Sequence, residues 1–325
     1  MVLGDWVTQM NDYGANATPF LFILDFELLD AKIYKLSDLP SDILYKCSDN
    51  KNYTLSGERT KPLKFESKPV SFETFQQAFN NVQKEIFLGN SFLLNLTFPT
   101  EIESNYTLRE LFNVSRAKYK LYYKDKFIVS SPEIFVQIKD GKIFTYPMKG
   151  TIDADIPDAK NKILADIKET AEHYTIVDLL RNDLSMVAEH VKVNRFRYID
   201  TLKTSSKTLL QVSSEIEGTL PLGYQRHLGD IFAAILPAGS ISGAPKKKTI
   251  EIIKANEMIG RGAYTGVFGI FDGHDLDSGV MIRLIESHEG KLTYRSGCGI
   301  TSMSECALEY KEMIDKVYVP VSRKY

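Results

Sequence analysis

Ile134-Phe135-Val136-Gln137-Ile138-Lys139-Asp140-Gly141-Lys142-Ile143-Phe144-Thr145-Tyr146 is two short β-rich runs joined by Asp-Gly, and Pro147-Met148-Lys149-Gly150-Thr151 follows at once. Asp-Gly between two such runs is a strong local hairpin signal, so strands are expected at Ile134 to Ile138 and Lys142 to Tyr146. Tyr119 to Ser130 reads as a further strand ahead of them, and the meander delivers Lys149 to a strand end beside a Gly-Thr turn. A lysine held there is a candidate nucleophile. Sixteen residues earlier, Ser130-Ser131-Pro132-Glu133 opens the same hairpin, so the Glu133 carboxylate can lie across the ribbon from the Lys149 ammonium. An isolated Lys and Glu are usually only a surface ion pair; other residues along the chain change the weighing.

Outward from the hairpin, Phe20 to Leu24 reads as a buried strand and Ser48 to Lys68 as a polar connection. From Phe72 to Leu88, Phe75, Phe79, Val82, Ile86 and Phe87 recur at three- and four-residue steps, which predicts an amphipathic helix. A strand at Ser91 to Thr97 follows. Asp158 through Leu180 reads as one helix, with strands at Val187 to Val193, Phe196 to Ile199 and Leu209 to Gly218 after it. Helices at Tyr224 to Ile235 and Pro245 to Ile259, strands at Gly266 to Asp272, Gly279 to Glu286 and Lys291 to Gly297, and a helix from Glu305 to about Val319 complete the pass. Strand groups alternate with helix groups without strict β-α-β order, which argues for an α+β sheet sandwich over a doubly wound fold. Two subdomains or one enzyme-sized unit are expected at 325 residues. Residues 1–71 are taken as a short segment contributing strands and residues 72–325 as the catalytic domain.

Forty basic against 42 acidic side chains, with no basic run longer than Lys246-Lys247-Lys248, exclude a nucleic-acid binder. Cys47, Cys298 and Cys306 have neither CxxC nor zinc-knuckle spacing and read as reduced thiols in packing roles. The greasiest early stretch, Pro19 to Leu29, is interrupted by Asp25 and Glu27, and no basic-then-apolar leader precedes it. A cytoplasmic protein with no membrane contact is expected.

Two carboxylate pairs share one spacing, Glu169 with Glu172 and Glu309 with Glu312. Residues three apart are neighbours on one helix face, so two such helices facing a common cleft would offer only oxygens, which suits Mg²⁺. On periodicity alone the glutamates fall opposite the apolar stripes Ile163, Ile167, Ala171 and Tyr310, Ile314, Val317, the usual position of a solvated face. Pro237 to Lys246 packs small residues and two glycines against a helix start, with Pro245 suited to the first helical position. Lys246, Lys247 and Lys248 in that first turn oppose the helix dipole, a conflict that a bound anion would relieve. Its spacing is not that of a phosphate loop, nor is Gly297-Cys298-Gly299-Ile300 a dinucleotide fingerprint, though it lets backbone amides approach a carboxylate. Arg283 could fork onto the same anion.

In series these strings resemble the chorismate-utilising enzymes, most closely the synthase component of aminodeoxychorismate synthase, over roughly residues 72–319. The resemblance rests on Asn90 to Thr97, Ser131-Pro132-Glu133, Pro147 to Thr151, Glu172-His173, Ile176 to Asp183, Gly239 to Lys246, Arg261 to Gly266, and Gly297 to Ile300 with Glu309 and Glu312. It implies the fold of anthranilate synthase component I, in which two intimately packed subdomains form a sheet sandwich with helices outside. It also implies Mg²⁺ held directly by Glu172 and Glu312 and through water by Glu169 and Glu309, gripping the ring carboxylate of chorismate. Thr151, Ser240, Gly243, Tyr264, Arg283, Gly297, Gly299 and Lys316 fall at substrate-contacting positions.

Lys149 separates the subclasses, because aminodeoxychorismate synthases carry lysine there and anthranilate synthases typically alanine. The implied chemistry is attack of the Lys149 amine on ring C2 while Glu133 protonates the departing C4 hydroxyl; ammonia then adds at C4 and expels the lysine. For this the amine must be partly neutral, through desolvation or cationic surroundings. A separate glutamine amidotransferase subunit is the implied ammonia source. An anthranilate synthase large subunit and a noncatalytic chorismate-binding subunit are the alternatives. Isochorismate and salicylate synthases place a water-activating lysine where Leu93 stands. Two departures are visible: Leu93 replaces the usual glutamine, and Gln211, which can hydrogen-bond but cannot shuttle a proton, replaces the usual histidine.

Overall fold

Two antiparallel sheets of nine strands each carry the chain in the computed structural model, which describes residues 4–54, 61–203 and 208–321. The first sheet runs Met148–Asp153, Thr208–Thr219, Lys142–Thr145, Ile134–Lys139, Leu276–Val280, Val267–Phe271, Phe20–Leu24, Lys32–Lys35, with Glu189–Lys203 also paired to Thr208–Thr219. The second runs Gly243–Ala244, Leu93–Ser104, Lys291–Ile300, Leu284–His288, Phe127–Ser131, Tyr119–Tyr123, Ile43–Cys47, Asn50–Lys51, with Phe65–Lys68 paired to Leu93–Ser104. The expected α+β sandwich is therefore the observed one.

Its interior forms where Leu21, Ile23 and Phe268 of the first sheet meet Ile43, Leu121 and Val129 of the second. All five residues of Phe20–Leu24 are buried, because helices cover the outer face of that sheet as well. Trp6, Met10, Leu180, Leu228 and Phe232 supply that cover. Phe75, Phe79, Val82, Ile252 and Met313 do the same for the second sheet. The helix Phe72–Phe87 forms as its periodicity predicts: Ser71 accepts a hydrogen bond from the Thr74 N–H at its start. Among the described residues no helix is long and apolar enough to cross a membrane. The cysteines are free, Cys47 and Cys298 buried and Cys306 partly so.

Several boundaries differ from expectation. Tyr119 to Ser130 is two strands, because Lys124 and Asp125 take left-handed φ of 49° and 52° and turn the chain. The expected helix Asp158 to Leu180 breaks at Asp166, an extended residue whose carboxylate accepts from the Glu169 N–H at 2.9 Å and so starts a new helix, Ile167–Ser185. The two strands expected between Val187 and Ile199 are one, Glu189–Lys203, whose register against its partner shifts at three places. Gly279 to Glu286 is not one strand either: the chain leaves the first sheet after Val280, passes Arg283 at φ 53°, and enters the second at Leu284. The helix Asp5–Ala15, with Trp6, Val7 and Met10 buried, was not expected at all. Within the polar stretch Ser48 to Lys68, Asn50–Lys51 and Phe65–Lys68 pair as strands, and residues 55–60 lie outside the described ones.

Candidate active site

Between the sheets and the helices that cap them lies a cavity of about 470 Å³, an ordinary size for a small-molecule site. Lys149 enters it from Met148–Asp153. That strand slips against Thr208–Thr219 between Met148 and Thr151, and Gly150 supplies the left-handed φ of 84° that the bulge requires. The Lys149 ammonium reaches the Glu172 carboxylate at 2.8 Å. Room for it comes from Gly299, where an added Cβ would lie 3.3 Å from Nζ. Thr151 sits opposite Gln211 in the ladder, and both line the cavity, as does Leu93. Both departures from the family pattern thus fall at the site itself.

The partly neutral Lys149 that the implied chemistry needs is not the form these neighbours favour. Burial pushes its pKa down, but Glu172, in direct contact, with Glu169 and Glu312 beyond it, outweighs burial and holds the ammonium above the ordinary lysine value. The carboxylates win because one of them is a hydrogen-bonded partner.

Glu172 and Glu309 are not on a wet face, whereas Glu169 is half-buried and Glu312 exposed. Glu172 is 6% and Glu309 1% exposed, whereas Ile167 of the expected apolar stripe is 79% exposed. Lys168 ties the two helices together, its ammonium 2.7 Å from Glu309 and 3.9 Å from Glu172. Glu312 pairs with Lys316 at 2.6 Å, and burial together with the Glu172 charge raises the Glu169 pKa. Glu169, Glu172 and Glu312 line the cavity; Glu309 stands behind the lining, and its Oε2 is buried without a hydrogen-bond partner. Surplus carboxylate and an orphaned buried oxygen fit a hard cation. The oxygens of the four glutamates do not all lie within 4.8 Å of one another, and lysines hold three of the four carboxylates. Among the described residues the acidic group with ligand atoms within 4.8 Å of one another is Asp140, His274 and Asp275, with Asp140 and His274 exposed.

At the other side of the cavity, Ser240 Oγ donates to Glu133 Oε1 at 2.6 Å. Burial raises the Glu133 pKa against the opposing pull of that bond and of Lys149, Lys316 and Arg283, which favours a protonated carboxyl. Lys316 Nζ donates to the Gly297 carbonyl at 2.9 Å, and Arg283 donates to the Lys316 carbonyl at 3.1 Å. Tyr264, Gly243, Gly297 and Gly299 complete the expected set, all lining the same cavity.

The segment before Lys246 behaves differently from expectation. Gly243, at φ 129°, and Ala244 pair with Leu93 and Leu94, and Pro245 caps the helix from an extended conformation outside its first turn. Lys246 turns back to Asp183 at 2.8 Å and to the Ile235 carbonyl, while Lys248 pairs with Glu251, so these two cations already have partners. Lys168, Asn95 and Arg295 also line the cavity and were not singled out from sequence. Period-2 spacing of Arg295 with Gly297 and Gly299 was the available signal.

The profile of the chorismate binding enzyme family matches residues 23–322. An "Uncharacterized PabA-like protein" of Haemophilus influenzae is 51% identical over 317 residues, covering 97% of this chain and 96% of that one. "Aminodeoxychorismate synthase component 1" of Bacillus subtilis is 33% identical over 270 residues, 77% of this chain and 55% of the relative. Among solved structures, anthranilate synthase component I from Streptococcus pneumoniae superposes with a TM-score of 0.65 at 26% identity, over 79% of this chain and 59% of that one.

Proposed function

The chain belongs to the chorismate binding enzyme family, and on that premise we propose that it aminates chorismate to 4-amino-4-deoxychorismate, with ammonia from a separate glutamine amidotransferase subunit. The observation that carries this is the placement of Lys149 and Glu133 in one cavity, one a nucleophile once deprotonated and the other a carboxyl whose pKa burial raises.

In this reading the Lys149 amine bonds to ring C2 as the ring double bond shifts and the C4–oxygen bond breaks, with Glu133 supplying the proton that leaves as water. Ammonia then adds at C4, the shift reverses, and lysine departs. Ser240 orients Glu133 through its 2.6 Å bond. Attack requires that the Lys149 ammonium first lose its proton and its hold on Glu172. Glu172 and Glu312 directly, and Glu169 and Glu309 through water, would hold Mg²⁺, whose charge anchors the ring carboxylate of the substrate. Arg283, Tyr264, Lys316 and the backbone at Gly297 and Gly299 would bind the enolpyruvyl end. Gln211, facing the site without a titratable proton, favours a product that keeps that side chain.

Mass spectrometry of protein quenched with chorismate and Mg²⁺ but no ammonia tests this. A Lys149 adduct of chorismate less one water is expected; release of fluorescent anthranilate when ammonium is supplied, with no adduct, would assign the other reaction of the family.

A further inference from the structure

We propose that Arg295 is a carboxylate-binding residue of this cavity, a second guanidinium lining it with Arg283, that receives the side-chain carboxylate of the substrate. It rests on the assignment of chorismate, which carries one carboxylate on the ring and one on the enolpyruvyl chain.

Along Lys291–Ile300 side chains alternate, so Arg295, Gly297 and Gly299 share one face, opposite Pro99, Thr97 and Asn95 of the neighbouring strand. Gly297 and Gly299 present bare backbone to the cavity, and Arg295 is the side chain that this face puts into the lining. Arg295 is 3% exposed, its Nε has no hydrogen-bond partner, and the nearest carboxylate, Glu286 Oε2, is 3.9 Å away, too far to bond. A buried cation without a bonded anion is costly, and a carboxylate taken by the guanidinium fork removes that cost.

Arg261 is the control within the same molecule. It is as deeply buried, yet it bonds Glu257 at 3.0 and 2.6 Å and the carbonyls of Ile241 and Asn95, so its charge and donors are used within the fold. Arg295 has no equivalent set. Burial raises the Glu286 pKa, with Arg295 and His288 pulling it back, so Glu286 is an incomplete counter-ion.

Calorimetric titration with chorismate and with its side-chain methyl ester tests the assignment, on the wild type, Arg295→Gln and Arg295→Lys, each checked by thermal melt. A guanidinium–carboxylate contact implies that Arg295→Gln weakens chorismate by about 10- to 100-fold and the ester by less than about 3-fold. Arg295→Lys, which keeps the charge but not the fork, should show the same selectivity with a smaller loss, and it decides the matter should the glutamine variant fail to fold. Equal losses for both ligands would mean a structural role, and no loss for either would mean no contact; each overturns the proposal. Wild-type protein that binds neither ligand would instead remove the chorismate assignment.

Discussion

Gly299→Ala separates the placement of Lys149 from the stability of the fold. A Cβ at residue 299 would lie 3.3 Å from Lys149 Nζ, 3.4 Å from Leu93 Cδ1 and 3.7 Å from Glu172 Oε2. The last two distances are ordinary contacts. The first presses on the end of a flexible side chain, which can yield by a few tenths of an ångström, and Gly299 is not among the glycines with left-handed φ. The melting temperature should therefore change by less than about 3 °C. Catalysis is less forgiving: a misplacement of about 1 Å costs on the order of 100-fold, so a few tenths should cost about tenfold in kcat, or about 1.4 kcal/mol of barrier. Gly243→Ala is the contrasting case, since its Cβ would sit 1.9 Å from the Leu93 carbonyl oxygen at φ 129°, and that variant should misfold. Ammonium-dependent chorismate consumption read beside a thermal melt distinguishes the two. A folded Gly299→Ala protein with kcat within twofold of wild type would refute the placement of the reacting amine against residue 299.

Glu133→Gln should lower kcat by about 10²- to 10⁴-fold with chorismate affinity changed only a few-fold, and a general acid with a raised pKa should make the wild-type rate fall on the alkaline side; a variant retaining a tenth of the rate would remove that role. Lys120 is buried, bonded to the carbonyls of Phe112 and Ser115, and pushed down to about 7 by burial, with Lys46 and Arg116 adding to it. Because the unfolded chain then holds the extra proton between about pH 7 and about 10, stability should rise with pH across that window; denaturant melts of Lys120→Met should lack the slope. Asp166→Ala, which removes the cap of Ile167–Ser185, should cost about 1 kcal/mol in denaturant titrations, and no measurable loss would mean that the helix start is held by packing alone.

Local chemistry was legible where one element explains itself. Phe75, Phe79, Val82 and Ile86 face one way because a 3.6-residue period leaves no alternative, and Asp140-Gly141 turns because both residues accept left-handed backbone, at φ 49° and 74°. Asp5–Ala15 carries Trp6, Val7 and Met10 on one face too, but polar residues between them lower the contrast, and the face is seen only once Leu228 and Phe232 cover it. The strand from Gly279 to Glu286 failed differently. Its composition is strand-like throughout, and nothing local says that Val280 and Leu284 pair in different sheets, since that is decided by partners far along the chain.

The charged site shows the limit most sharply. Periodicity ranks Ile167 above Glu172 for burial because it assumes that the polar face of a helix meets bulk water. Here that face meets an internal cavity, whose walls count as buried although they are polar. Lys149 shows a different limit: the implied chemistry asks for a partly neutral amine, but its partner, Glu172, lies 23 residues away, and Lys168 finds Glu309 across 141. Lys149, Lys168 and Lys316 each sit on one glutamate of the cluster. Before substrate arrives three lysines thus hold three of the four glutamates, and a cation taken by Glu172 or Glu312 competes with an ammonium for the carboxylate. Lys168→Met should therefore tighten Mg²⁺ binding in calorimetric titration while Lys149 keeps its partner, and an unchanged affinity would remove this competition, which follows from the ion pairs rather than from any motif.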